Sequence, residues 1–155
     1  MADARVSDPA VTFRFNVTSA IFLLMGGAGF SKVSGLRDES EVMEYREGSD
    51  KNLAKRKFAG LREYPAMVFT KGATKEGFAL LMWRKLVLSG KGYRSGVVIQ
   101  VNDVAGTPVR RYTVENAWPS SLEMDDLDAM SSEVAIESME MQHEGNITKQ
   151  GMLFS

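Results

Sequence analysis

The sequence predicts a mostly-β fold, a barrel or sandwich with one flanking α-helix, on three observations. Val11, Phe13, Phe15 and Val17 alternate with Thr12, Arg14, Asn16 and Thr18, a strict period of two in residues of high strand preference. Tyr93–Asp103 and Thr107–Ala117 flank Ala105-Gly106 and read as a hairpin with Val97, Ile99 and Val101 on one face. Only residues 75–88 carry a convincing helical pattern. One helix among many strands leaves sheet packing as the way to bury the apolar faces.

The 155 residues read as a single domain, 1–155, long enough to remove roughly two thirds of the extended chain's surface from water. There is no cysteine, which excludes disulfides and thiolate metal sites. The one histidine, His143, argues against a histidine metal cage. A formal net charge of -1, from 19 basic and 20 acidic residues, gives no global argument for a nucleic acid or an anionic membrane as partner. Ile21–Met25 is bounded by Ser19 and Gly26-Gly27, and no segment approaches the ~18 to 20 apolar residues of a membrane span. The N-terminus lacks the apolar core of a secretory signal. A soluble product with no membrane insertion is expected.

Taken in order, residues 1–10 are polar and read as an N-terminal arm. After the first strand, Ile21–Met25 reads as its continuation or hairpin partner, and Gly26-Gly27-Ala28-Gly29 as a turn. Phe30–Val33 and Leu36–Arg46 follow as extended segments around Ser34-Gly35. From Glu47 to Glu63 regularity fades and charge dominates, with Lys51, Lys55, Arg56, Lys57 and Arg62 close together. A connection this long in a compact domain is usually functional or disordered. Tyr64–Lys71 returns to strand, with Pro65 at its start or on an edge. The helix at 75–88 takes Thr74 as N-cap, Glu76 in its first turn, Arg84 and Lys85 toward its end and Gly90 as its left-handed stop. Its wide apolar stripe, including Phe78, Leu81, Met82 and Leu86, sets it deep against a sheet. Trp118-Pro119 reads as a buried tryptophan corner where proline ends a strand.

Residues 133–142 set propensity against period. Glu, Ala, Met and Gln are good helix formers. Yet Val134 and Ile136 alternate with Ala135 and Glu137 before the apolar phase jumps to Met139 and Met141. A one-residue jump marks a bulge, or a strand whose two ends face different neighbours. The β-rich surroundings favour a strand.

No catalytic, cofactor or metal constellation emerges. Met25–Lys32 is glycine-rich, but Lys32 stands where the dinucleotide pattern needs glycine, and Ser31-Lys32-Val33 is not a Walker loop. His143-Glu144 has no second histidine one turn on. Asp125, Asp126 and Asp128 lack the glycine and distal glutamate of a calcium hand and read as a solvated acidic loop. No serine sits in a nucleophile elbow.

Several short motifs occur in a fixed order: Gly29-Phe-Ser-Lys-Val-Ser-Gly-Leu36, Glu44-Tyr-Arg-Glu-Gly48, Tyr64-Pro65, Lys71-Gly72 with Thr74, Asn116-Ala-Trp-Pro119, Glu133-Val-Ala-Ile-Glu137 and His143-Glu-Gly145. Together they resemble the tail-tube protein family of contractile phages and phage-tail-like injection systems, over about Phe13 to Gly145. Ala59 departs from the proline often found there, and the tail at 146–155 lies outside the shared pattern. The resemblance implies a β-barrel of two packed antiparallel sheets with one flanking helix (75–88), similar to the haemolysin-coregulated protein of type VI secretion. It further implies hexameric rings stacked head to tail into a hollow tube, no enzymatic activity and no cofactor. Implied partners are other copies of the chain, a contractile sheath protein, baseplate or tube-initiator and tail-terminator proteins, and DNA or protein cargo in the lumen. The implied location is a virion tail or extracellular injection particle, assembled in the bacterial cytoplasm. A single-ring initiator or baseplate adaptor of the same family is the alternative. The charged segment at 47–63 becomes an arm reaching a neighbouring subunit.

The expected self-assembly interface pairs Lys51, Lys55, Arg56 and Lys57 of that arm with Glu123, Asp125, Asp126 and Asp128 of an adjacent copy. Met139 and Met141 are expected to face a neighbour.

Overall fold

The computed structural model describes residues 14–24, 29–49, 51, 54–72, 78–124, 130, 136–145 and 148–151. Among these, the elements run β1 (Phe15–Ser19), α1 (Ala20–Leu24), β2 (Lys32–Ser34), β3 (Glu39–Tyr45), β4 (Arg56–Glu63), β5 (Met67–Gly72), α2 (Phe78–Leu88), β6 (Ser95–Asn102), β7 (Pro108–Met124), β8 (Ile136–Gln142) and β9 (Thr148–Gly151). The fold is mostly β, as expected, and every strand pairing is antiparallel.

The 17-residue β7 is the spine. Its first half pairs with β6 along one edge and with β9 along the other. Its second half pairs with β8, which passes the sheet on to β5 and β2. Two half-sheets therefore share one strand, and β7 bends between them. Asn116 has a φ of 52°, and the register shifts between Pro119 and Ser121. Such bulges kink a strand and increase its twist.

Pro119 does not end the strand, contrary to the sequence reading. Pairing with β6 stops at Ala117, so the proline falls beside a bulge where one edge has no ladder to interrupt. Ser120 Oγ donates to the Glu140 carbonyl at 3.2 Å and holds the seam. Trp118 is half-buried rather than a buried corner.

The core lies between the half-sheets. Val97, Ile99, Val114 and Ala117 come from one, Met67, Phe69, Met139 and Met141 from the other, and Phe22, Ala79, Leu80 and Trp83 from the helices. Alternation along β1 places Phe15 and Val17 against it. The helix α2 stops as the sequence predicts: Gly90 has a φ of 76° and its amide bonds the Val87 carbonyl. Its expected start at 75, with the Thr74 cap, lies outside the described residues.

Three expectations are corrected. Ile21–Leu24 is neither a continuation of the strand nor its hairpin partner: Ala20–Leu24 is one helical turn, and Met25 lies outside the described residues. Ser19 Oγ accepts from the Phe22 amide at 3.1 Å, an N-cap, and Phe22 packs edge-on against Trp83 with centroids 5.1 Å apart. A turn this short is marginal by itself, so that aromatic contact decides it. The segment after Glu47 does not stay irregular, because Arg56–Glu63 forms β4. The sheet order ends at β1 and β2, so no closed barrel is found among the described residues.

Met139 and Met141 lie in a strand, but both are 0% exposed inside their own core. They hold the subunit and are not available to a neighbour. The phase jump has a simpler cause. Met139 and Met141 share the core face with Phe69 and Met67, whereas Ile136 sits on the opposite face and is exposed. At the end of the core stripe, Lys71 Nζ lies 3.6 Å from Glu137 Oε2 and is itself buried.

Met139→Ala should lower the stability of the dissociated subunit by about 2–5 kcal/mol, measured by chemical denaturation. Gly145→Ala should also destabilise it, by at least about 2 kcal/mol, since Gly145 has a φ of 107° and a Cβ there would sit 2.4 Å from the Tyr64 ring.

Candidate self-assembly surface

Strands β3 and β4 form a ribbon of their own, outside the main sheet. Its register sets Met43 opposite Phe58, Val42 opposite Ala59 and Glu44 opposite Lys57. Side chains alternate across a strand, so Met43, Tyr45 and Phe58 share one face while Val42, Ala59 and Leu61 share the other. Every one of these six is exposed, Leu61 at 78% and Val42 at 58%. Gly60 lets the two strands close: a Cβ there would come within 3.0 Å of the Glu41 carbonyl and 3.4 Å of Met43 Cγ. A two-stranded hairpin alone is marginally stable in water, and exposed apolar groups on both of its faces mark an interaction surface.

The expected basic cluster is on this ribbon. Lys51 is exposed in the connection, Lys55 Nζ lies 2.9 Å from Glu44 Oε2, and Arg56 and Lys57 begin β4. The Lys55 pair is exposed and worth under about 1 kcal/mol. Glu123 is on the second half of β7, where its carboxylate accepts from Ser138 Oγ at 3.3 Å. Asp125, Asp126 and Asp128 lie outside the described residues. The cations and Glu123 thus belong to different sheets. The apolar residues of the ribbon were missed by the sequence reading. They fall on both faces, Val42 beside Met43 and Phe58 beside Ala59, so no period of two marks them in the sequence.

Two sheet edges complete the surface. Among the described residues β1 pairs only with β6, and β9 only with β7, so within these each leaves one side of its backbone without a strand. Unpaired edges are templates for another chain.

Near the bend of β7, His143 is buried and its Nε2 lies 3.1 Å from the Pro65 carbonyl. The neutral tautomer with hydrogen on Nε2 makes that bond, and Nδ1 is buried without a partner. Desolvation lowers the His143 pKa below its ordinary 6.5, with the Pro65 bond acting the other way. Tyr64 packs on the ring at 5.7 Å. Asn116 Nδ2 donates to Glu144 Oε2 at 2.9 Å, and Arg94 pairs with the same carboxylate. This corner ties β7 to the end of β8. Beside it, Val87, Gly92, Tyr93, Arg94 and Trp118 line a hollow of about 180 Å³.

The described residues thus form a bent antiparallel sheet and a separate two-stranded ribbon with exposed apolar side chains on both faces. Residues 11–146 match the family described as T4-like virus tail tube protein gp19. The chain belongs to that family, whose members are structural tube proteins rather than enzymes.

Solved structures agree. A chain of the anti-feeding prophage baseplate, determined by cryo-electron microscopy with six-fold symmetrisation, is 27% identical and superposes with a TM-score of 0.81, covering 94% of this chain and 97% of that one. A chain of the cap that terminates the anti-feeding prophage tube is 27% identical at a TM-score of 0.80, covering 98% and 100%. The sheath-tube complex of an extracellular contractile injection system, PVC, shares the fold at a TM-score of 0.82 and 24% identity, covering 95% of each chain. An Hcp crystal structure reaches a TM-score of 0.49 at 14% identity, covering 79% of this chain and 76% of that one. No curated protein matches the sequence.

The histidine gives a pH prediction. With its folded pKa lowered, its stabilising contribution is complete above pH 6.5 and is lost as pH falls from there through the folded value. Denaturation midpoints of the subunit should drop between pH 7.5 and 5.5, and His143→Gln should flatten that dependence.

Proposed function

We propose that the chain is the repeating subunit of the inner tube of a contractile phage or phage-tail-like injection particle. Six copies form a ring, and rings stack head to tail into a hollow tube that conducts DNA or protein cargo. The observation that carries this reading is the β3–β4 ribbon, with three apolar side chains exposed on each face. Among the described residues nothing covers it, and a neighbouring copy would. The basic end of the ribbon, at Lys51, Lys55, Arg56 and Lys57, meets Glu123, Asp125, Asp126 and Asp128 of that neighbour and sets its orientation. Pairing along strand edges closes the ring, and a head-to-tail contact without closure extends the stack. A barrel that no single chain completes then forms from the ring as a whole.

Sheath, baseplate or initiator, and terminator proteins are the tube's other partners, and assembly takes place in the bacterial cytoplasm. The likeness to chains of a baseplate and of a tube terminating cap keeps a single-ring initiator as the second reading. Purified protein distinguishes the two in negative-stain micrographs: stacked rings or tubes support the repeating subunit, and single rings that never stack support the initiator.

Met43→Ser combined with Leu61→Ser should abolish higher assemblies while leaving a folded monomer, read by size-exclusion chromatography and circular dichroism. Reversing Lys51, Lys55, Arg56 and Lys57 to glutamate should shorten or abolish tubes. Unchanged tube length would overturn the proposed ion pairing.

A further inference from the structure

The chain has 10 methionines and no cysteine, so thioethers take the place of thiols as its targets for two-electron oxidants. Among the described residues they fall into two groups. Met67, Met139 and Met141 are fully buried in the core, and Met82 of α2 is half-buried. Met43, Met124 and Met130 are exposed. Of these only Met43 lies on the β3–β4 ribbon. It sits opposite Phe58 and on the face it shares with Tyr45. Its Cγ lies 3.4 Å from the position a Cβ would take on Gly60. The side chain is therefore laid over β4, and 52% of the residue still faces water.

We propose that Met43 is an oxidation site, open to hydrogen peroxide in the free subunit, whose state decides whether that subunit can enter an assembly. The inference rests on the reading of the ribbon as the contact with a neighbouring copy. In the oxidation step the Met43 sulfur lone pair takes one oxygen from hydrogen peroxide. The O–O bond breaks, an S–O bond forms, and the other oxygen leaves with both protons as water. Sulfur is oxidised by two electrons and the peroxide is reduced by two. The product, methionine sulfoxide, is polar and chiral where a flexible apolar chain stood, and a thiol-driven reductase restores the thioether.

The effect on assembly follows from where the new oxygen sits. On the free ribbon water bonds it at no cost. In a contact that covers Met43, Tyr45 and Phe58 together, the oxygen loses that water. One buried acceptor without a partner weakens a contact about tenfold or more, and every copy in a ring repeats the contact. Burial also works in the other direction. Once a neighbour covers the ribbon, Met43 is closed to peroxide as the core methionines are. A subunit oxidised first is excluded and one assembled first is protected, so the order of the two events sets the outcome.

Dilute hydrogen peroxide applied to dissociated subunits, followed by assembly and pelleting, tests the site without any substitution. Peptide mass mapping should find Met43 sulfoxide depleted about tenfold or more in the pellet relative to the supernatant. Methionine sulfoxide reductase with dithiothreitol should return the excluded chains to the pellet. In finished assemblies the same peroxide should oxidise Met43 about tenfold more slowly, or slower still, than in subunits. Met43→Leu, which keeps the apolar volume, should assemble and stay insensitive to that dose. An even distribution of Met43 sulfoxide between pellet and supernatant, equal oxidation rates in assemblies and subunits, or a Met43→Leu chain that peroxide still excludes would each overturn the site while leaving the tube intact. If the untreated wild-type chain forms no ring or tube in micrographs, the proposed function fails and takes the oxidation site with it.

Discussion

The bend in β7 is the constraint on which the rest of the structure depends. One strand serves two half-sheets, so the positions of Asn116, Pro119 and Ser120 set the angle at which the halves enclose the core. The bend occurs where pairing with β6 has ended and the partner on the other edge passes from β9 to β8. His143, Glu144 and Gly145 fill the same corner from the opposite strand, with Glu115 and Gly145 bonded backbone to backbone. A residue with left-handed geometry, a proline and a close glycine are each costly in a regular ladder. Together they make one irregular junction that leaves the ladders on either side regular.

From that bend follows the contrast between a well-packed body and an unfinished surface. Trp83, Phe22, Phe69 and the three core methionines are fully buried, so the body folds on its own contacts. The ribbon does the reverse. Its apolar residues face water on both sides, and its exposed ion pair adds little. Body and ribbon differ in burial: the first encloses its large apolar side chains within this chain, and the second leaves its own exposed. The two open edges belong with the ribbon in this respect.

Much of the fold was legible in the sequence. The alternation from Phe15 to Val17, the hairpin around Gly106 and the stop at Gly90 are local patterns, and each formed as its residues predict. The ribbon and the short helix α1 were not legible for opposite reasons. β4 pairs with β3 across a charged connection, with apolar residues on both faces and so no period of two, and five residues of helix depend on a ring contact with Trp83 that no local pattern contains. The proposed interface was half legible. Lys51, Lys55, Arg56 and Lys57 stood out as a cluster, while Val42, Met43 and Tyr45 passed as part of an acidic extended segment.

The run from Glu133 to Gly145 shows where the boundary lies. Its sequence determined that residues 136–142 alternate and that apolar groups change face near Met139, because the period of a strand is a property of the chain itself. It left open what each face meets. The tertiary structure decided that Met139 and Met141 pack against Phe69 and Met67 within the subunit and that Ile136 points outward. Burial depends on which strands arrive opposite, and β5, which carries Met67 and Phe69, reaches this strand from far away in the chain.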